Sequence, residues 1–348
     1  MKLERYLQEK KVYIIAEMSG NHEGSLDKAL AIVEAAADAG ADCLKIQTYT
    51  ADTITIDART EAFRLGKGLW EDRYLYDLYR EAYTPWEWTA PIQEACRRRG
   101  LDFLSTPFDF SAVDFLEECG AEAYKIASFE LVDLPLIRKA ASTGKPLILS
   151  CGMATEEEIG EAVKAARDRS DAPVVLLKCC SAYPADYALM HLRTIPDMAE
   201  RFQLPVGLSD HSEGSLAACA AVALGAAVVE KHICLSEEDK TVDSAFSLSA
   251  AEFTKMVADI RRTEQALGQV HYGPSPDEAE SLRLRRSLYA VKDIAEGEAF
   301  TADNVRSIRP AGGLHTRWYE TLLDGKKAAR AIPFGTPLTE EDVAGGLE

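Results

Sequence analysis

Residues 205–232 read PVGLSDHSEGSLAACAAVALGAAVVEKH, and this stretch decides the fold. Apolar runs at 205–209 and 227–232 each predict a buried β-strand, and the segment between them predicts a helix. The stretch is therefore one strand–helix–strand unit, the building block of α/β folds. Each strand runs into polar residues at its end, which indicates where chemistry would be placed.

The same unit repeats through the first ~270 residues. Six further apolar runs predict strands at 12–17, 42–47, 101–105, 122–127, 146–150 and 174–180. Eight strand–helix units in about 250 residues predict a (β/α)8 TIM barrel. A doubly wound open sheet is the alternative. It usually needs fewer strands, and residues 17–24, EMSGNHEG, do not match the GxGxxG turn of a dinucleotide site.

Several helix starts can be read directly. Capping residues followed three positions later by Glu predict helix N-termini at Thr84, Thr155 and Ser249. Residues 25–39 predict an amphipathic helix whose apolar face carries Leu26, Leu30, Val33 and Ala37. The aromatic-rich stretch 48–83 is too long for a plain loop and predicts a partly helical lid or interface segment.

The composition excludes several classes of protein. The chain of 348 residues has a net charge of −18, which disfavours a nucleic-acid partner. No apolar run reaches the ~20 residues that cross a bilayer, and the N-terminal MKLERYLQEKK is no secretory signal, so we expect a cytoplasmic protein without membrane contact. The eight cysteines contain no CxxC pair, and reduced, mostly buried thiols are expected.

The pattern changes after residue 272. We predict a barrel domain over 1–272, a proline-marked linker over 273–286, and a small β-rich domain over 287–348. So short a domain has little core of its own, so we expect it to dock on another surface.

All eight predicted strands become polar at the same end. In a barrel these ends meet at the active-site face, so their side chains predict one polar cup. The cup would include Glu17, Lys45, Gln47, Thr106, Lys125, Ser128, Ser150, Ser181, Tyr183, Ser209, His211 and His232.

Two features of the cup indicate its chemistry. His211 and His232 end neighbouring strands, and imidazole suits a divalent transition metal. Lys45 and Lys125, ringed by hydroxyls, suit a phosphate or carboxylate. No GxSxG or Cys–His nucleophile pattern is present. His22 is left open between substrate contact and loop support.

Many of these segments resemble the sialic acid synthase family. The matching stretches, in order, are IIAEMSGNHEGSLDKAL, ADCLKIQTYTADT, STPFD, YKIAS, LILSCGMAT, VGLSDHSEG, VVEKH and VDSAFSL. The C-terminal RRSLYAVKDIAEGEAFTADNVRSIRP resembles the antifreeze-like (SAF) domain that ends these proteins. The resemblance implies condensation of phosphoenolpyruvate with an aldose to give a nine-carbon 2-keto acid.

Within the family, AEMSGNH, LKIQTYTADT, AYTPWEW and VDSAFSL most resemble the pseudaminic acid synthases. The resemblance implies 2,4-diacetamido-2,4,6-trideoxy-L-altrose as the sugar, phosphate release by C–O cleavage, and a domain-exchanged homodimer. The alternative is N-acetylneuraminic or legionaminic acid synthesis, the same chemistry on another aldose.

The resemblance also implies roles for single residues. His211 and His232 would hold Mn or Mg. Matches to the phosphoenolpyruvate-binding positions are Lys45, Thr106, Lys125, Ser128, Ser150, Tyr183 and Ser209. Glu17 would handle the attacking water or the sugar. Gln47 and Asp243 match sugar-side positions, and Arg309 matches an arginine delivered to the partner subunit's site. Asn21 is a further candidate substrate contact, and the aromatic groups of Tyr49 and Phe246 would suit the 6-methyl and acetamido groups of the sugar. Ser181 replaces an Asn of the sialic acid synthases, which puts that contact in question.

Two functions of other classes compete. A Schiff-base aldolase would use Lys125 at its strand end, but it leaves His211 and His232 without a role. A non-catalytic carbohydrate-binding protein with an antifreeze-like module does not explain the histidine pair either.

Overall fold

The computed structural model describes residues 1–347, and its first unit is a closed parallel barrel. Eight strands pair in sequence order, and β1 also pairs with β8, which closes the sheet. The strands are β1 Tyr13–Glu17, β2 Cys43–Thr48, β3 Asp102–Pro107, β4 Tyr124–Ile126, β5 Leu147–Ser150, β6 Val174–Cys179, β7 Val206–Asp210 and β8 Val228–Cys234. The predicted (β/α)8 barrel is confirmed.

Helices accompany the barrel strands, and most of them cover its outer face. They are α1 Leu3–Glu9, α2 Leu26–Asp38, α3 Ala51–Ile54, α4 Leu75–Ala82, α5 Thr89–Arg99, α6 Phe110–Glu118, α7 Leu134–Ala141, α8 Glu156–Arg167, α9 Thr194–Phe202, α10 Leu216–Ala223 and α11 Ala250–Leu267. A two-residue strand, β9 Leu248–Ser249, pairs with the end of β8. None of the helices that the structure describes is both long and apolar enough to cross a membrane.

Alternation along the strands separates the two faces of the barrel wall. On β1, Ile14 and Ala16 pack with the helices, whereas Tyr13 and Ile15 join the cluster inside the barrel. The helix α1 adds Leu3 and Tyr6 to that inner cluster. Successive strand residues point to opposite faces, so polar residues that continue the inner register face the interior above this apolar plug.

Two local predictions need correction. Thr84 does not cap a helix, because its Oγ1 contacts His22 Nε2 at 3.1 Å and α5 begins only at Thr89. The buried face of α2 carries Ala29, Ile32, Val33 and Ala36, and of the residues predicted for it only Val33 is fully buried. The helix therefore packs with a face turned slightly from the predicted one.

Other local predictions are confirmed. Thr155 and Ser249 form capping boxes with Glu158 and Glu252. The segment 48–83 is partly helical, with α3 and α4 flanking a short hairpin. All eight cysteines are free thiols, five of them buried.

The chain divides into two compact units, the first being Met1–Gly268 and the second beginning at Gln269. The second unit contains α12 Ala279–Leu282, the antiparallel strands β10 Ser287–Ala290 and β11 Val305–Ile308, and α13 Tyr319–Leu323. It has its own apolar core, which includes Leu288, Phe300 and Leu338. Part of the stretch 273–286, predicted as a linker, is thus helical.

Candidate active site

A cavity of about 410 Å³ opens at the carboxyl ends of the barrel strands. The inward register of the strands brings most predicted site residues to its wall. They are Lys45, Gln47, Thr106, Lys125, Ser128, Ser150, Tyr183, Ser209, His211, His232, Asp243 and Phe246. The predicted polar cup therefore exists as one cavity, built from residues far apart in the chain.

Two lysines and two glutamates form a buried network on its floor. Lys45 Nζ lies 2.5 Å from Glu17 Oε2 and 3.6 Å from Glu230 Oε1. Lys125 Nζ donates to Glu230 Oε1 at 2.9 Å. Burial opposes ionisation of both Lys45 and Glu230. The charge of Glu17 outweighs it at Lys45 and raises that pKa, and the charge of Lys125 outweighs it at Glu230 and lowers that pKa. Lys45 is thus held as a cation at the cavity wall, and Lys125 forms an ion pair with Glu230 beside it.

Glu17 lies behind this wall. It is fully buried, it is not among the residues lining the cavity, and its Oε1 accepts a hydrogen bond from Ser19 N at 3.1 Å. Burial, partly offset by Lys45, raises the pKa of Glu17. Any action of Glu17 on a ligand would therefore pass through the Lys45 ammonium.

The two histidines lie side by side, with ring centroids 5.3 Å apart. His211 Nδ1 donates to the carbonyl of Cys180 at 3.0 Å, which leaves Nε2 as the ligand atom, the usual arrangement for a metal-binding imidazole. Burial, together with the charges of His211 and Lys45, lowers the pKa of His232 well below its usual value and keeps it neutral. The pair fits a divalent ion, although residues 1–347 contain no group of three or more His, Cys, Asp or Glu arranged as a metal site.

Unpartnered polar atoms concentrate at this site. Among the described residues, the buried side-chain atoms without a hydrogen-bond partner are Glu17 Oε2, Glu130 Oε2, Ser150 Oγ, Glu230 Oε2 and His232 Nδ1. Glu17 Oε2 nevertheless has the Lys45 ammonium beside it. Each buried polar group without a partner lowers the stability of the folded state by roughly 1–3 kcal/mol. Because these atoms are grouped around one cavity, they indicate a polar ligand that would pair with them.

The remaining hydroxyls have specific partners. Thr106 Oγ1 accepts from Lys45 at 3.2 Å, and Ser209 Oγ donates to Glu230 at 3.4 Å. Ser128 Oγ accepts from Gly152 N at 3.1 Å. A Cβ on Gly152 would collide with Ser181 Oγ and Ser128 Oγ, so a larger residue there would displace these two hydroxyls. Ser181 itself does not line the cavity.

The sugar-side positions form a second group. Asp243 Oδ2 accepts from Ser19 Oγ at 2.5 Å, and Gln47 Nε2 donates to the same hydroxyl at 3.1 Å. Asn21 does not line the cavity: its amide nitrogen donates to Ile233 O and Ser247 Oγ, both at 2.9 Å. The structure gives Asn21 a loop-supporting role, and its prediction as a substrate contact finds no support in this geometry.

The remaining two residues, His22 and Arg309, belong to different units of the chain. His22 is buried and its Nδ1 accepts from Gly24 N at 3.1 Å, which supports the first loop. Arg309 belongs to the second unit, where it is exposed and follows β11, with no ion pair to any of the residues 1–347. Its predicted role in a partner subunit stays a prediction.

Glu130 and Trp70 are among the cavity residues that the sequence did not indicate as site residues. Glu130 follows β4 and lines the wall; burial raises its pKa to about 7. Trp70 reaches the cavity from the segment between α3 and α4. For Glu130 the signal was present, since it stands two residues after the predicted Ser128. Trp70 was noted only as part of an aromatic-rich stretch.

A closed barrel whose carboxyl end gathers cationic, hydroxyl and imidazole groups in one cavity has the layout of a TIM-barrel active site. The NeuB family model matches residues 32–272, and the SAF domain model matches residues 285–344. The chain belongs to the NeuB family and is an enzyme of the sialic acid synthase type.

Named relatives agree with this assignment. Pseudaminic acid synthase of Campylobacter jejuni (strain 81-176) is 45% identical over 98% of this chain and 99% of its own length. Pseudaminic acid synthase of Helicobacter pylori is 41% identical, covering 96% of this chain and 98% of that protein. The solved N-acetylneuraminic acid synthetase of Leptospira borgpetersenii has 31% identity and a TM-score of 0.69, covering 78% of this chain and 90% of that one.

Proposed function

We propose that the chain is a pseudaminic acid synthase, which condenses phosphoenolpyruvate with 2,4-diacetamido-2,4,6-trideoxy-L-altrose. The observation that carries this is the cavity itself, whose lining combines two buried lysines and several unpartnered polar atoms with apolar and aromatic side chains. The higher identity to pseudaminic acid synthases than to the sialic acid synthetase of solved structure favours this sugar.

The lysine side of the cavity suits phosphoenolpyruvate. Lys45 and Lys125 supply charge for its phosphate and carboxylate, and Ser150 Oγ is an unpartnered hydroxyl beside them. Fixed donors in a water-poor cavity stabilise developing charge better than solvent does. Thr106, Ser128, Ser209 and the hydroxyl group of Tyr183 complete this side in the proposal.

His211 and His232 would hold Mn or Mg. When bound, such an ion supplies Lewis-acid polarisation of the sugar aldehyde. The protein residues hold the two substrates, and burial keeps the His232 imidazole neutral. Gln47 and Asp243 would orient the sugar from the side of the first loop.

The proposed reaction forms one C–C bond and breaks one C–O bond. C3 of phosphoenolpyruvate attacks the aldehyde carbon, whose oxygen becomes a hydroxyl by taking a proton. The cation left at C2 adds water, and Glu17 would accept the released proton through the Lys45 contact. The resulting tetrahedral carbon expels phosphate with the bridging oxygen, which leaves the 2-keto acid.

The deciding experiment is phosphate release from phosphoenolpyruvate with a panel of acetamido sugars, with mass spectrometry of each product. The proposal expects the 2,4-diacetamido-L-altrose to give the highest kcat/KM. A preference for N-acetylmannosamine or for the legionaminic acid precursor would assign the alternative synthase instead. Phosphoenolpyruvate with ¹⁸O in its C–O–P bridge should yield labelled phosphate, whereas label in the keto acid contradicts C–O cleavage.

The working form is also part of the proposal. We expect a cytoplasmic homodimer in which the second unit of one subunit brings Arg309 to the other subunit's cavity. The second unit has a small core of its own, which fits a domain that gains stability by docking.

A further inference from the structure

Trp70 is fixed by a short hairpin between α3 and α4. Arg64 pairs with Tyr74 in an antiparallel bridge, and Leu65 N donates to Arg73 O at 2.8 Å. The indole Nε1 of Trp70 donates to Val242 O at 2.9 Å. Because this donor is already engaged, the indole offers the cavity only its apolar surface.

Trp70, Tyr183 and Phe246 form an aromatic cage in the cavity wall. Ring centroids are 5.8 Å apart for Trp70 and Tyr183, 6.2 Å for Trp70 and Phe246, and 4.9 Å for Tyr183 and Phe246. The cage adjoins the histidine pair, since Tyr183 lies 4.4 Å from His211 and Phe246 lies 4.9 Å from His232. An apolar recess thus stands directly beside the imidazoles.

We infer that this cage receives the acetamido methyl on the carbon next to the sugar's aldehyde carbon, and that Trp70 sets the preference for that group. The inference rests on the proposed function, which puts the aldehyde at the histidines. A substituent on the neighbouring carbon must then lie close to them, whereas the 6-methyl is at the far end of the sugar. An acetamido methyl gains apolar contact on aromatic surfaces, and a smaller group there leaves a gap.

The contacts of the hairpin explain how Trp70 can set the preference for the acetamido group. Trp70 is held at Val242, the residue before Asp243, which is itself fixed by Ser19. A Cβ on Gly20 would lie 2.5 Å from Val242 Cγ2, so the first loop packs tightly against this anchor. Trp70 therefore keeps its place relative to the sugar-side residues.

The test compares two sugars that differ by one methyl group: the 2,4-diacetamido sugar and its analogue with formamido at C2. One methyl in an apolar recess changes kcat/KM by about tenfold or more, so the wild type should prefer the acetamido sugar by that factor. Trp70→Ala should bring the ratio close to one, and Trp70→Phe should keep part of it. The loss should fall on sugar KM, with phosphoenolpyruvate KM unchanged.

Trp86 provides the matched control. Its Nε1 also donates to a backbone carbonyl, Tyr49 O at 3.1 Å, and it packs on Phe115, but it does not line the cavity. Trp86→Phe should keep the wild-type ratio. Calorimetric titration with the two corresponding sugar alditols gives a readout without turnover and should show the same loss of preference in Trp70→Ala.

The outcomes separate the two levels of the argument. If Trp70→Ala lowers kcat/KM equally for both sugars while the wild type discriminates, the cage assignment is wrong and the proposed function stands. If the wild type releases no phosphate with any acetamido sugar, the proposed function fails, and this inference with it.

Discussion

The most specific prediction concerns Glu130, because its carboxylate destabilises the folded state by an amount that depends on pH. Its carboxylate lines the cavity, and Oε2 is buried without a hydrogen-bond partner. Burial raises its pKa to about 7 from the ordinary 4.5, against the attraction of Lys125. The folded state therefore holds the proton more tightly than the unfolded state does.

The sign follows from linkage. Between pH 4.5 and 7 the folded chain binds more protons at Glu130 than the unfolded chain, so stability falls as pH rises through this window. The pKa of Glu130 differs by about 2.5 between the two states (7 − 4.5), which at 1.36 kcal/mol for each pH unit lowers the free energy of unfolding by about 3 kcal/mol. The whole of this loss is present above pH 7. Glu130→Gln removes the charge at nearly constant shape and should abolish this term.

The assay is urea unfolding of the ligand-free protein at pH 4 and pH 8, followed by tryptophan fluorescence. Three of the four tryptophans, Trp70, Trp86 and Trp88, report on the barrel unit. Glu130→Gln should match the wild type at pH 4 and exceed it by about 3 kcal/mol at pH 8. The exposed Glu157→Gln serves as control and should show no pH-dependent gain. An equal difference at both pH values would refute the reasoning.

Three further results are expected. Chelation should abolish turnover, and added Mn²⁺ or Mg²⁺ should restore it. The variant His232→Ala should stay folded but lose the bound metal. Full activity in a metal-free sample would contradict this prediction. Lys231→Met should destabilise the chain by about 3–5 kcal/mol, because it leaves fully buried Asp210 unpaired, and adding Asp210→Leu should recover much of the loss. A double variant as unstable as the single one would argue against that account. Arg309→Ala should lower kcat/KM by about 10- to 100-fold, mainly by raising the KM for the sugar. Mixing Arg309→Ala subunits with His211→Ala subunits should restore activity. If subunit exchange is confirmed and no activity returns, Arg309 does not act in the partner subunit's site.

The barrel could be predicted from sequence because strand signals repeat and each strand is short and apolar. Every predicted strand lies within two residues of an observed one, for example 227–232 against Val228–Cys234. The cup followed from the same pattern, since the inward register carries Lys45, Lys125 and His232 to one end of the barrel. The prediction that Thr84 caps a helix was wrong because its hydroxyl contacts His22, a residue far away in the sequence that no local capping pattern reveals.

What escaped prediction is the part of the cavity wall that Trp70 supplies, and the reason is physical. Side chains along a strand point alternately to its two faces, so the residues of the inner face can be predicted from the sequence alone. The hairpin that carries Trp70 has no such period, and its position depends on a hydrogen bond to Val242, far away in the chain. Asn21 shows the converse, because it looks like a ligand contact next to Glu17, yet its amide is used up by Ile233 and Ser247. Strand registers therefore determine the charged floor of the cavity, and it is the loop contacts that determine the apolar wall where discrimination between sugars would arise.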